Sequence, residues 1–168
     1  FDLLRGKRGT LVSVGILRSG EKALLDFEIT RGKIPIHSVD AAYMVNSTLG
    51  YIKVNRFSAT TYEEFTLAAD KLLNAGMQKL ILDLRNNPGG YLGAAINMSN
   101  EFLDADQLIV YTEGRSRDKE EYFSNERGAL LHTDVVVLLD EGSASASEIV
   151  AGALQDNDRG LVAGRRSF

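Results

Sequence analysis

Two stretches of this 168-residue chain place reactive groups where an apolar run gives way to a helical pattern. The first is Leu82-Asp83-Leu84-Arg85-Asn86-Asn87-Pro88-Gly89-Gly90. Two Asn and a Pro turn the chain there, and adjacent glycines lead onward. Lacking a Cβ, Gly89 and Gly90 can take positive φ and let a ligand approach their N–H groups. Backbone N–H groups near a helix start bind an anion or a developing oxyanion. A plain tight turn is the simpler reading of the same residues. A phosphate loop is excluded, because no Gly-Lys-Ser/Thr follows.

The second stretch is Leu138-Leu139-Asp140-Glu141-Gly142-Ser143-Ala144-Ser145-Ala146-Ser147-Glu148, continuing to Asp156. A serine at the mouth of a helix points into the positive end of the helix dipole, which favours a developing alkoxide. The same residues also spell a capping box, Ser145-x-x-Glu148, needing no chemistry at all. An activated serine requires a base. The two histidines, His37 and His132, read as exposed loop residues. A buried lysine is the other common activator, yet no Lys follows Lys119. Asp140, Glu141, Glu148 and Asp156 are too scattered in sequence to argue as an acid/base pair.

The elements that must position these groups are legible from periodicity. Residues 10–18 and 23–30 alternate as strands about a Ser19-Gly20 turn, predicting a β-hairpin over 10–30. Leu3-Leu4-Arg5-Gly6 reads as the last turn of a helix stopped by Gly, and 31–41 as an extended linker. Beyond residue 42, strand-like runs at 42–46, 50–57, 78–84, 107–113, 134–140 and 160–163 alternate with helical periodicity at 61–75, 92–103 and 146–156. The runs at 79–84 and 135–140 are nearly continuous in apolar residues, as for strands covered on both faces. An α/β layered core follows. The charged stretch 113–128 reads as a solvated loop or hairpin.

Composition narrows the function classes. With 19 Lys+Arg against 23 Asp+Glu, the net charge of −4 carries no nucleic-acid footprint. The absence of Cys excludes disulfides and thiolate metal sites, and two His cannot build a three-histidine zinc site. No run approaches the roughly 20 apolar residues that span a bilayer as a helix. No metal or organic cofactor is expected. The opening Phe1-Asp2-Leu3 and the closing Arg165-Arg166-Ser167-Phe168 match neither a start nor a finish, so the chain reads as an excised piece.

Taken together, the two junctions resemble those of the C-terminal processing (tail-specific) serine peptidases. The likeness runs over essentially the whole chain, through Leu82–Gly90, Glu141–Asp156, Gly50-Tyr51-Ile52 with Phe57, and the helix at 61–75. It implies a ClpP/crotonase-like core over residues 35–168, preceded by the C-terminal part of a PDZ domain over 1–34. It implies a serine endopeptidase that cuts proteins near apolar, unstructured C-termini and works in the periplasm or cell envelope of a bacterium. The middle serine, Ser145, would be the nucleophile. Gly89, Gly90 and Ala146 would supply the oxyanion hole, and Glu148 and Asp156 would support the site. The family's general base is a lysine in a Phe-Gly-Lys segment, expected about two residues past Phe168, so the chain alone is expected to be inactive. Arg165 and Arg166 cannot replace it, because guanidinium stays protonated. The resemblance also admits a non-catalytic, PDZ-like peptide-binding relative and an acyl-thioester enzyme of the crotonase type. Open strand edges of the truncated hairpin would invite a dimer.

Overall fold

The alternation over residues 10–30 forms an antiparallel pair, β1 (Leu11–Ile16) and β2 (Leu25–Thr30), with Leu11 opposite Thr30 and Ile16 opposite Leu25. The computed structural model describes residues 3–32, 36–125 and 127–168, and divides the chain into two units, Phe1–Ile36 and His37–Phe168. Within the first unit the Arg31 guanidinium donates to the carbonyls of Leu4 (2.9 Å) and Leu11 (2.8 Å). Leu3 and Leu4 form a turn rather than the expected end of a helix. Of the expected linker, residues 33–35 lie outside the described residues.

The second unit is built on a five-stranded sheet of order β3-β4-β5-β8-β9. Its strands are β3 (Val39–Met44), β4 (Leu49–Val54), β5 (Lys79–Asp83), β8 (Asp134–Leu139) and β9 (Gly160–Gly164). β3 runs antiparallel to β4, and the remaining pairings are parallel, with Leu82 between Ile52 and Val137. Helices α1 (Thr61–Asn74), α2 (Leu92–Asn100) and α3 (Ala146–Asp156) make the crossovers that parallel strands require. Between α2 and β8, β6 (Leu108–Gly114) and β7 (Arg117–Phe123) pair as a hairpin. The expected α/β alternation is therefore observed, and the charged stretch takes its hairpin form.

Burial follows strand parity. Ile52, Val54, Leu80, Leu82, Val135, Val137 and Leu139 are buried, and they share one cluster with Phe65, Leu72, Met98, Phe102, Val150 and Leu154 from the helices. Each such side chain contributes about 1.5–3 kcal/mol on removal from water. Ile81, Val136 and Leu138, between them, are only half-buried, so the two apolar runs are fully covered on one face rather than both.

Two boundaries differ from expectation for identifiable reasons. The first core strand begins early, at Val39, because the N–H groups of Ser38 and Val39 both donate to the Glu64 carboxylate on α1. Helix α2 ends at Asn100, where Glu101 is drawn inward to accept the Tyr62 hydroxyl (2.6 Å) and the Ala129 N–H (2.7 Å).

Candidate active site

At the end of β5 the chain is tied down by a buried carboxylate. Asp83 accepts the Arg85 N–H (2.9 Å), Arg85 Nε (3.0 Å) and Nη2 (2.6 Å), the Tyr51 hydroxyl (2.6 Å) and Lys53 Nζ (3.2 Å). Burial alone would raise its pKa, but these donors hold it well below the usual carboxylate range. Burial and the same contact push the Tyr51 phenol up to about 12.

The turn that follows is braced by the fully buried Asn87. Its Nδ2 donates to the Val54 carbonyl (2.9 Å), and its Oδ1 accepts the Gly89 N–H (2.9 Å). Gly89 and Gly90 take φ of 91° and 141°, values that a side chain disfavours. Phe57 brackets the pair, donating its N–H to Gly89 O and accepting the Tyr91 N–H, both at 2.9 Å. A Cβ on Gly90 would lie 2.0 Å from the Phe57 carbonyl oxygen.

The serine cluster at the end of β8 divides by role. Ser143 is buried, donating its hydroxyl to Leu84 O and accepting the Asp140 N–H, both at 2.9 Å. Ser147 is buried too, its hydroxyl on Asn87 O at 2.9 Å, and the Ala144 N–H reaches the same oxygen at 3.0 Å. Two of the three serines thus fasten the second junction to the first. Ser145 alone is exposed, at φ 54° and ψ −111°, a sparsely populated backbone region. It caps α3 in the expected capping-box arrangement, its N–H donating to Glu148 Oε2 (2.8 Å). Glu148 Oε1 in turn accepts the Ser167 hydroxyl (2.8 Å), and the Phe168 N–H donates to Ser143 O (3.0 Å).

The junctions meet at Gly89. A Cβ there would lie 2.6 Å from Ala144 O, 2.8 Å from Ala146 N and 2.8 Å from Ser145 Cβ. The three expected oxyanion donors are consequently not equivalent. The Gly89 N–H is spent on Asn87, whereas those of Gly90 and Ala146 have no acceptor among the described residues. Ser145 opens into a groove of about 610 Å³ between α3 and β6, lined by Ile109, Val110, Ile149, Gly152 and Ala153, with Asp156 near the far end. By helix geometry Asp156 stands about 16 Å along α3 from Ser145. Among the described residues no lysine or histidine lines this groove, and His37 and His132 are exposed, as expected.

Ser145, Gly89, Gly90, Ala146 and Glu148 are thus brought together, while Asp156 is held at a distance. Sequence reasoning assigns Asp83 no role, takes Asn87 only as a turn residue and weighs Asp140 only as an acid or base, although an Asp closes each of the two apolar runs.

Residues 48–168 match the profile of peptidase family S41. Over 98% of its length the chain is 42% identical to the carboxyl-terminal-processing protease of Synechocystis sp., and 39% identical to the carboxy-terminal processing protease CtpB of Bacillus subtilis. It covers 39% and 35% of those proteins, so it spans well under half of the curated relatives it matches. Among solved structures, it superposes on the photosystem II D1 C-terminal processing protease with a TM-score of 0.68 and 31% identity, over 99% of this chain and 46% of that one.

Proposed function

The chain belongs to peptidase family S41, and on that footing we propose that Ser145 is the nucleophile of a C-terminal processing endopeptidase. One observation carries the proposal. An exposed serine, held at positive φ, packs against Gly89, and the N–H groups of the adjoining Gly90 and Ala146 have no acceptor among the described residues.

In this reading Ser145 Oγ attacks the carbonyl carbon of a substrate peptide bond and loses its proton to a neutral lysine. The carbonyl oxygen becomes an oxyanion held by the N–H groups of Gly90 and Ala146. Loss of one such donor typically costs about 10²–10³ in rate. Collapse breaks the C–N bond, the lysine protonates the leaving amine, and water hydrolyses the ester on Ser145. Glu148 supports the site by holding the Ser145 N–H, and Gly89 supports it by being small.

The base is the lysine expected shortly after residue 168. Support comes from the Ser167–Glu148 and Phe168–Ser143 hydrogen bonds, which lead the chain past the nucleophile. The groove's aliphatic side chains would favour a neutral amine there. The same groove suits an extended, apolar polypeptide segment, in keeping with substrates cut near unstructured C-termini. The hairpin unit is read as the last strands of a PDZ domain, whose open edges would let the isolated chain pair with a second copy. A bacterial envelope location follows from the family reading alone.

The test is cleavage of an apolar-tailed peptide by the full-length protein and by its Ser145→Ala variant. Cleavage that depends on Ser145 and is absent from residues 1–168 alone supports the proposal. Cleavage unaffected by Ser145→Ala removes it.

A further inference from the structure

The oxyanion site proposed above has one half on each of two junctions far apart in sequence, so something must fix their spacing. Gly90 follows β5, and Ala146 follows β8. Besides the Ser143, Ala144 and Ser147 hydrogen bonds to Leu84 and Asn87, one carboxylate oxygen spans the gap. Asp140 Oδ1 accepts the Asn86 N–H from the first junction at 2.7 Å, and the Gly142 N–H from its own at 3.0 Å. The Ser143 hydroxyl approaches it at 3.3 Å. Asp140 is itself buried, 5% exposed, and its N–H is held by Ser143 Oγ.

The contact shapes the backbone on both sides. Asn86, which donates to Asp140, sits at φ 56°. Gly142 packs against it so tightly that a Cβ would lie 2.9 Å from Asn86 Cα. Between Asn86 and Gly90, and between Asp140 and Ala146, both chains are short and braced by Asn87, Ser143 and Ser147. A displacement at Asn86 or Asp140 has little slack in which to dissipate before it reaches the two donors. Lys53, Arg85, Arg165 and Asp83 line the same crevice as Asp140. Among the described residues Oδ1 takes its hydrogen bonds from two backbone N–H groups, one on each junction, and from the Ser143 hydroxyl.

We propose that Asp140 is a positioning residue for the oxyanion site: by cross-linking Asn86 to Gly142, it adds to the Ser143 and Ser147 links the constraint that fixes the distance between the Gly90 and Ala146 N–H groups. The proposal rests on the peptidase reading for its catalytic consequence and on this structure alone for its geometric one. A misplacement of about 1 Å at a reacting centre costs on the order of 10² in rate.

The test uses Asp140→Ala and Asp140→Asn with two readouts. In the full-length protein, Asp140→Ala should lower kcat about 100-fold with KM little changed, at a temperature where it is fully folded. Asp140→Asn, which keeps an acceptor oxygen, should recover much of that loss. In the 168-residue chain, the Gly90 and Ala146 amide signals in ¹H–¹⁵N spectra should shift in Asp140→Ala, while those of α1 stay in place. If Asp140→Ala does not fold, Asp140→Asn is read by the same two measurements, with smaller displacements and a smaller kcat loss expected. Unmoved Gly90 and Ala146 amides, or moved amides with kcat retained, overturn the proposal. Should the wild-type protein cleave nothing, the peptidase reading falls, and the amide signals still decide whether Asp140 sets the spacing.

Discussion

Gly89 and Ser145 are packed so closely that a methyl group added to Gly89 would lie 2.8 Å from the Ser145 Cβ. The two sequence features that stood out separately are one physical object. A glycine is required at 89 because the backbone of Ala144 and Ala146 and the Ser145 Cβ pack against it and its φ is 91°.

That contact makes Gly89→Ala a sharp test of the geometry. The added Cβ meets Ala144 O at 2.6 Å and Ala146 N at 2.8 Å, and φ of 91° is unfavourable for alanine in any case. Strain of this kind costs about 1–3 kcal/mol, and backbone displacement adds to it. Urea unfolding should show a loss of at least that size, with cleavage by the full-length protein abolished.

The three serines should separate in stability measurements. Ser143→Ala strands the Asp140 N–H and should cost about 1–3 kcal/mol, whereas Ser147→Ala leaves Asn87 O with the Ala144 N–H and should cost about 0.5–1.5 kcal/mol. Ser145→Gly should instead raise stability by about 1 kcal/mol, because glycine relieves the backbone at φ 54°. It should do so while abolishing cleavage, the trade expected where a strained residue serves function.

Gly152 offers the opposite case to Gly89. An added Cβ there meets nothing within 4 Å, and the residue is in the interior of α3. Gly152→Ala should therefore stabilise the chain by up to about 1 kcal/mol through helix propensity. Because Gly152 lines the groove, the same change should weaken peptide binding, read as a raised KM in the full-length protein.

Acid should loosen the strand ends. Asp83, Asp140 and Glu64 all have their carboxyl pKa lowered in the fold, by hydrogen bonds that outweigh burial where it opposes them. Their contribution is fully present above the unfolded carboxyl values near 4 and is lost as pH falls through the lower folded values. Stability from denaturant curves should be level from pH 7 to about 5 and drop steeply below 4. Asp83→Asn should lower the plateau and flatten that drop.

Much of this was legible in the sequence, for reasons that particular residues make plain. Helices at 61–74 and 146–156 announced themselves because Phe65, Ala69 and Leu72, and Val150, Ala153 and Leu154, repeat at helical spacing around buried faces. The early start of β3 at Val39 was not legible, since it depends on Glu64, some 25 residues away along the chain. The selection among Ser143, Ser145 and Ser147 came from family likeness. Its physical basis, two buried hydroxyls committed to Leu84 and Asn87 and one left exposed, is a tertiary fact. Asp140 is legible only as one of several scattered carboxylates, because its principal partner, Asn86, is 54 residues distant. Gly89 and Gly90 looked equivalent until Asn87 was seen to occupy the N–H of one and not of the other.

The central claim is that Ser145 forms a covalent bond with substrate. It is tested most directly by treating the full-length protein with a serine-directed phosphonate and locating the adduct by mass spectrometry of the fragment containing residues 141–156. The account predicts a single adduct on Ser145, none on Ser143 or Ser147, loss of labelling in Ser145→Ala, and parallel loss of peptide cleavage. Cleavage that persists with Ser145 unlabelled, or undiminished in Ser145→Ala, would contradict it.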